Sequence, residues 1–222
     1  MAIALDATSN SGNTTGTTTA TLSHTCSWTD RILFVATINN NATPTTVTEV
    51  TYNGIAMTNI GGVLATTGAA NTYLWYLINP STGANNIVAT KSSTFWGIVI
   101  KWVSFNWAKQ SWQPDSFSLT WPTTTTSFAP TTTTVADNCF TVLCGAGASG
   151  LALTAWTNTT ISNPIEVLLW GLFIAYSTTA KTPAWVGTLT VTSSSQSFTG
   201  IMASFSPSGV SITNPAFFLN LL

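Results

Sequence analysis

The sequence predicts an all-β protein, built as an antiparallel β-sandwich of jelly-roll type with an internal pseudo-repeat. Its apolar residues alternate with polar ones or cluster in short runs that are rich in β-branched and aromatic residues. Such runs are typical of strands, and Gly, Pro, Asn and Ser separate them as they do in turns. No stretch has the spacing of apolar residues that an amphipathic helix requires.

Predicted strands cover both halves of the chain. Asn53-Gly54, between Val-Thr-Tyr and Ile-Ala-Met, is the strongest turn signal and predicts a type I′ hairpin. Further turns begin at Asn79-Pro80 and at Ser206-Pro207. The predicted strands are 2–6, 17–24, 31–39, 47–52, 55–60, 73–78, 86–90 and 95–105, followed by 116–121, 127–129, 138–143, 152–156, 167–177, 186–192, 198–205 and 216–222.

The predicted strand 95–105 is apolar on both of its faces. Side chains alternate across a strand, so a strand of this kind must be covered on both sides. One face packs within its own domain, and the other needs a further layer or a second subunit. We expect a subunit interface here, formed by Trp96, Ile98, Ile100, Lys101 and Trp102.

The two halves of the chain repeat one pattern. The stretch 191–198 matches 88–95 in length and character, and both continue through a Gly-Ile pair to Ser-Phe. We expect one sandwich unit over 1–222, with pseudo-repeats at 1–110 and 111–210 and a C-terminal strand or tail at 211–222. The alternative is two tandem small sandwiches that are split near 110–115.

Charge is unusually scarce, because only 5% of the residues are Asp, Glu, Lys or Arg, against about 25% in an ordinary soluble domain. A surface with so little repulsion suits a subunit of a permanent assembly, so we expect a homo-oligomer. The five basic residues are scattered singly, whereas nucleic acids and anionic membranes require clusters of them. No nucleic acid and no membrane insertion is expected.

Catalytic and metal-binding patterns are weak. His24 is the only histidine, and the six acidic residues contain no pair at the i, i+2 spacing of one strand face. We therefore expect no enzyme, no catalytic residues, no cofactor and no metal site. The cysteines Cys26, Cys139 and Cys144 are expected as small buried residues, although one bridge from Cys26 stays open.

The ten tryptophans offer a second kind of surface. Most lie inside apolar runs and are expected in the core or at an interface. The others flank turns or polar segments and could form a surface that recognises glycans. These candidates are Trp28, Trp112, Trp121 and Trp185.

Several short motifs resemble a loose group of phage and metagenomic virion-associated proteins. They are the opening Ile-Ala-Leu-Asp-Ala-Thr-Ser-Asn, His24-Thr-Cys-Ser, Arg31-Ile-Leu-Phe-Val and Val50-Thr-Tyr-Asn-Gly-Ile-Ala-Met-Thr. The resemblance implies a β-sandwich protein displayed on a particle, such as a capsid decoration protein or part of a tail fibre. None of these motifs is catalytic.

We therefore expect a non-enzymatic virion protein. Its first assignment is a capsid decoration or cement subunit, which binds its own copies and a major capsid or other virion protein. A glycan-binding tail component and a self-assembling extracellular filament are the alternatives. The start of the sequence lacks the pattern of a signal peptide, so we expect assembly in the host cytoplasm and a place on the virion surface.

Overall fold

The protein is all-β, and its sheets are antiparallel, as the sequence predicts. A computed structural model describes residues 2–40, 45–64, 70–94, 97–148, 155–157, 159–167, 170–177, 186–188 and 190–209. The predicted strand 216–222, with the tail 211–222, lies outside the described residues, and so does Trp96. Three main sheets stack as layers, which we name the front, central and back sheets.

The central sheet has five strands in the order β1-β9-β3-β7-β6. Every strand of this sheet comes from the first half of the chain. β9 lies between β1 and β3. In its register with β3, Trp102 lies opposite Val35 and Lys101 lies opposite Ala36. The strands are β1 (Ala4–Thr14), β3 (Ile32–Asn40), β6 (Thr58–Val63), β7 (Ala70–Ile78) and β9 (Ile98–Asn106).

The front sheet has four strands in the order β2-β8-β4-β5, again from the first half. The predicted hairpin at Asn53-Gly54 joins β4 to β5, and both residues have the positive φ that a type I′ turn needs. The strands are β2 (Thr19–Cys26), β4 (Val47–Tyr52), β5 (Ile55–Ala56) and β8 (Gly83–Lys91).

The back sheet is built from the second half, in the order β10-β17-β12-β15-β14, with β13 also paired to β17. A separate two-stranded ribbon pairs β11 with β16. The strands are β10 (Ser116–Phe128), β11 (Thr131–Thr133), β12 (Phe140–Ala148), β13 (Ala155–Thr157), β14 (Thr159–Val167), β15 (Trp170–Ser177), β16 (Val186–Thr188) and β17 (Thr190–Phe205).

Two apolar cores hold the three layers together. Leu33, Val35 and Trp102 of the central sheet pack against the front sheet, where Tyr52 and Ile87 meet them. The neighbouring residues along the same strands point the other way and pack against the back sheet. Those residues include Phe34, Ala36, Val99 and Val103, which meet Val142, Ile174, Ile201 and Phe205. The period of two along β3 and β9 therefore divides their side chains between the two cores.

Aromatic rings join the central and back sheets. The ring centroids of Phe34 and Phe205 are 4.3 Å apart, and those of Phe105 and Tyr176 are 5.3 Å apart, both in edge-to-face arrangements. Such pairs stabilise a core by about 0.5–1.5 kcal/mol beyond the area that they bury. Residues of both halves thus share one core.

The two five-strand orders correspond position by position. In each sheet the first strand of its half lies beside the last, as β1 beside β9 and β10 beside β17. The last strand lies in turn beside β3 in the central sheet and beside β12 in the back sheet. This is the arrangement that a duplicated chain would show. The duplication, the jelly-roll topology and the choice between one unit and two tandem sandwiches stay predictions.

The outer face of the back sheet carries a third apolar cluster, which depends on glycine. Gly145 lies opposite Phe173 in the β12–β15 register. A Cβ atom at Gly145 would lie 2.1 Å from Cζ of Phe173, so the ring occupies the space above the glycine. Phe128 and Phe198 stack nearby, with ring centroids 5.1 Å apart. The glycines of this sheet let aromatic rings lie close to the backbone.

Candidate recognition surface

The predicted subunit interface on β9 is corrected by the layering. Ile98, Ile100 and Trp102 are buried against the front sheet, and Lys101 is buried on the opposite face. The further layer that β9 requires comes from the same chain, because the second half of the sequence folds over the first. Within one chain these four side chains are already covered, so they offer no surface to a second subunit.

Lys101 is the most unusual of these residues, since its side chain is fully buried in an apolar layer. Burial lowers the pKa of its ammonium group to about 7. It faces the same side as Val99 and Val103, which belong to the core between the central and back sheets. Lys101 therefore belongs to the interior of the fold.

Exposed tryptophans lie instead on loops that gather at one end of the layers, which we name the loop end. It consists of the loops 27–31, 53–54, 79–82, 107–115 and 206–209. Backbone hydrogen bonds join them, from Ala108 N to the Asp30 carbonyl at 2.9 Å and from Lys109 N to the Ser206 carbonyl at 2.9 Å. The side chain of Asn53 donates to Ser81 Oγ at 3.2 Å. The loop end is thus one connected structure.

Three tryptophans of the loop end have left-handed backbone conformations. Trp28, Trp107 and Trp112 have φ angles of 62°, 60° and 53°. A residue with a Cβ atom loses about 1–2 kcal/mol in this region, and bulky residues adopt it rarely. Strain of this kind persists only where the surrounding structure imposes it, and it collects at functional sites.

Arg31 holds the loop of Trp28 in place. Its guanidinium donates to the Pro80 carbonyl and to Oδ1 of Asn79, both at 2.7 Å, and also to the carbonyl of Trp28. The planar fork of arginine suits several acceptors at once. Arg31 therefore ties the loop 27–31 to the loop 79–82 and fixes the backbone on which Trp28 is carried.

The structure separates the four predicted recognition tryptophans. Trp28 is 73% exposed and Trp112 is 88% exposed, and both belong to the loop end. Trp121 is 59% exposed, but it lies on β10 at the edge of the back sheet. Trp185 lies outside the described residues. Two of the four candidates are therefore brought to one end of the molecule.

A shallow depression of about 380 Å³ adjoins the loop end on the outer face of the front sheet. Asn53 and Gly54 of the hairpin turn form one wall, and Asn85 and Asn86 of β8 lie across from them. Amide side chains both donate and accept hydrogen bonds. The residues that line the depression, Thr51, Asn53, Gly54, Ala84, Asn85, Asn86 and Val88, carry no charge.

The buried polar group around His24 is not arranged for catalysis. Nε2 of His24 lies 3.0 Å from Oγ of Ser104, and that hydroxyl donates to Asp6 Oδ2 at 2.9 Å. A catalytic triad places the histidine between the hydroxyl and the acid, whereas here the serine lies between. Burial lowers the pKa of His24 to about 4, against the opposing effect of Asp6. The group serves the packing between β1, β2 and β9.

The three cysteines are free and buried, which resolves the disulfide question left by the sequence. Burial raises the pKa of the Cys26, Cys139 and Cys144 thiols, so they stay protonated and unreactive near neutral pH. Among the described residues, no three His, Cys, Asp or Glu side chains gather as ligands of a metal ion. No helix of the described chain is long and apolar enough to cross a membrane.

Sequence reasoning missed Arg31, Asn79 and Trp107 as parts of this surface. Asn79 is a turn residue, for which a positive φ is ordinary. A tryptophan gives no such signal, so the conformation of Trp107 depends on tertiary hydrogen bonds. One signal was present, since Arg31 is the only arginine of the sequence and directly precedes an apolar strand.

The fold and the surface together define an all-β protein of antiparallel sheets with an aromatic loop end. Comparison with family models, with curated proteins and with solved structures found no match to this chain.

Proposed function

We propose that this protein is a non-enzymatic carbohydrate-binding protein and that the loop end is its recognition surface. The observation that carries the proposal is the pair of exposed indole rings, Trp28 and Trp112, on strained loops that hydrogen bonds join together. An exposed, strained tryptophan costs stability, and binding of a ligand would explain why the chain keeps two of them.

The chemistry of the surface favours a sugar. A pyranose ring has an apolar C–H face that packs on a flat indole, while its hydroxyl groups need donors and acceptors at the edge. Around the adjoining depression, the side-chain oxygens of Asn53 and Asn85 can accept, and the exposed amide of Asn86 can both donate and accept. The depression is lined by uncharged residues, which suits a neutral ligand better than an anion. Its volume falls in the range of about 300–1,000 Å³ that is usual for small-ligand sites.

The buried position of His24 supports the non-enzymatic assignment. This residue is the only histidine of the chain, and its side chain is enclosed between the front and central sheets. A general base must reach the proton that it abstracts. His24 is bonded to Ser104 inside the protein instead.

Two arguments support a place on a virion. One is the resemblance of the short motifs to virion-associated proteins, and the other is the scarcity of charge. The doubly apolar β9 gives no further support, because the front and back sheets of the same chain cover its two faces. Of the virion roles, the receptor-binding tail component agrees best with an exposed aromatic surface. Capsid genes beside this one would favour the decoration role, and tail genes would favour adhesion.

The experiment is a glycan array with the full chain, followed by calorimetry with each glycan that binds. The expected result is a per-site dissociation constant that rises at least tenfold in Trp28→Ala and in Trp112→Ala. Trp121→Ala is the matched control, because Trp121 is exposed but lies away from the loop end, and its per-site affinity should equal that of the parent. Thermal unfolding of each variant shows that the fold is kept.

Two results would overturn the proposal. One is a parent chain that binds no glycan on the array. The other is equal affinity in all three tryptophan variants, which would place the binding elsewhere.

A further inference from the structure

A separate apolar surface lies along β10, at the edge of the back sheet. Phe117, Leu119 and Trp121 occur at alternate positions of this strand and are 53%, 36% and 59% exposed. Alternate residues point to the same side of a strand. They therefore form one continuous apolar stripe that faces solvent.

The stripe lies beside the central sheet. Leu119 lies directly over Gly61 of β6, since a Cβ atom there would be 2.9 Å from its Cδ2. β6 and β10 both start at the loop end and run away from it. We name Phe117, Leu119 and Trp121 the seam patch.

The area of the seam patch fits the core of a subunit interface. From the exposed fractions, its three side chains present about 300 Å² of apolar surface, which is in the range of the largest patch on a monomer. A standard interface buries about 800 Å² on each partner, of which about 56–65% is apolar. The patch would supply somewhat more than half of that apolar share.

The charge of the surroundings favours a second copy over another partner. Neither β6 nor β10 contains a charged residue. In a contact around a two-fold axis, each residue of the patch lies near the same residue, or a neighbouring one, of the other copy. Charged residues in the patch would therefore meet residues of like charge and repel them. An uncharged patch has no such cost, and it offers no charge complementarity to a different protein.

Side chains rather than strand pairing would make this contact. β10 contains Pro122, which has no amide hydrogen, and its register with β17 shifts between Thr120 and Thr123.

We propose that two copies of this chain associate around a two-fold axis through the seam patch. The apolar stripe of one copy packs against the same stripe of the other. The loop ends lie outside this contact, so the dimer would present two recognition surfaces. The inference is independent of what the loop end binds.

The test is sedimentation equilibrium of the full chain over a range from about 1 to 200 μM. The parent should reach a plateau at the mass of two chains, and Trp121→Glu should raise the dimer dissociation constant at least tenfold. Phe117→Ser is a second variant, which keeps the strand and removes only apolar surface. Trp112→Glu is the matched control and should leave the dimer constant unchanged.

A parent chain that stays at the mass of one copy throughout the range would overturn the inference. A mass that continues to rise with concentration would overturn the two-fold arrangement. Equal dimer constants for the parent, Trp121→Glu and Phe117→Ser would move the contact to another surface. Urea unfolding of each variant separates loss of association from loss of the fold.

Discussion

The single histidine predicts how the stability of this protein depends on pH. His24 is almost fully buried, and its ring lies 6.5 Å from that of Tyr52 and 6.2 Å from that of Trp102. Burial among these rings disfavours the imidazolium form, so the pKa falls from 6.5 to about 4. Asp6, at the far side of Ser104, attracts the proton and opposes this effect.

The sign follows from proton linkage. Between pH 6.5 and 4 the unfolded chain binds a proton at His24 more readily than the folded chain does, so acidification favours unfolding. The loss of stability begins as the pH falls below about 6.5 and is complete near pH 4. The difference in pKa corresponds to about 3 kcal/mol of unfolding free energy.

The assay is urea unfolding of the parent and of His24→Gln, followed by tryptophan fluorescence at a series of pH values from 4 to 8. Carboxyl groups titrate in both proteins, so the comparison cancels their contribution. The free energy of unfolding of the parent relative to the variant should fall by about 3 kcal/mol between pH 8 and pH 4. A difference that stays constant with pH would show that His24 is solvated or charged in the folded protein.

Two further predictions concern the interior of the fold. Lys101→Glu should lower the free energy of unfolding by at least about 3 kcal/mol, because it places a carboxylate in the core, whereas unchanged urea unfolding would place Lys101 at the surface. Gly145→Ala should cost about 1–3 kcal/mol by overpacking against Phe173, and Gly145→Ala with Phe173→Leu should regain part of it. A Gly145→Ala protein as stable as the parent in urea would contradict the close contact between that ring and the backbone.

Much of the fold could be predicted from local pattern. Alternation of apolar and polar residues located β2, β4 and β8, because each has one face toward the core and one toward solvent. The doubly apolar β9 was identified correctly as a strand that needs cover on both faces. The Asn53-Gly54 turn was also predicted, since only a few dipeptides favour positive φ at both positions.

The sheets that cover the two faces of β9 could not be predicted. A sequence shows that a strand face must be buried, but it does not show which other strands bury it. The same limit applies to the boundaries of β17. The sequence predicts two strands there, 186–192 and 198–205, whereas the structure has a single strand from Thr190 to Phe205 and a separate short β16. Gln196 and Ser197 lie between the two predicted strands, yet they pair with β10 across a shift in register.

The recognition surface was only partly predictable. The sequence predicts Trp28, Trp112 and Trp121 as surface candidates because they flank turns or polar segments, and all three are exposed. Their grouping was not predictable, since it depends on hydrogen bonds between loops that are far apart in the sequence. The bond from Trp107 N to the Thr29 carbonyl, for example, joins the β9–β10 loop to the β2–β3 loop.

The layer order also has a consequence for how the chain leaves the ribosome. The central sheet is complete once Asn106 has emerged, but the strands that cover its second face are synthesised later, up to Phe205. At a translation rate of about 5–20 residues per second, that apolar face stays uncovered for roughly 5–20 seconds until the back sheet has been synthesised. During this interval the nascent protein is most exposed to misassembly, and a chaperone that shields the face would raise the yield of the finished molecule.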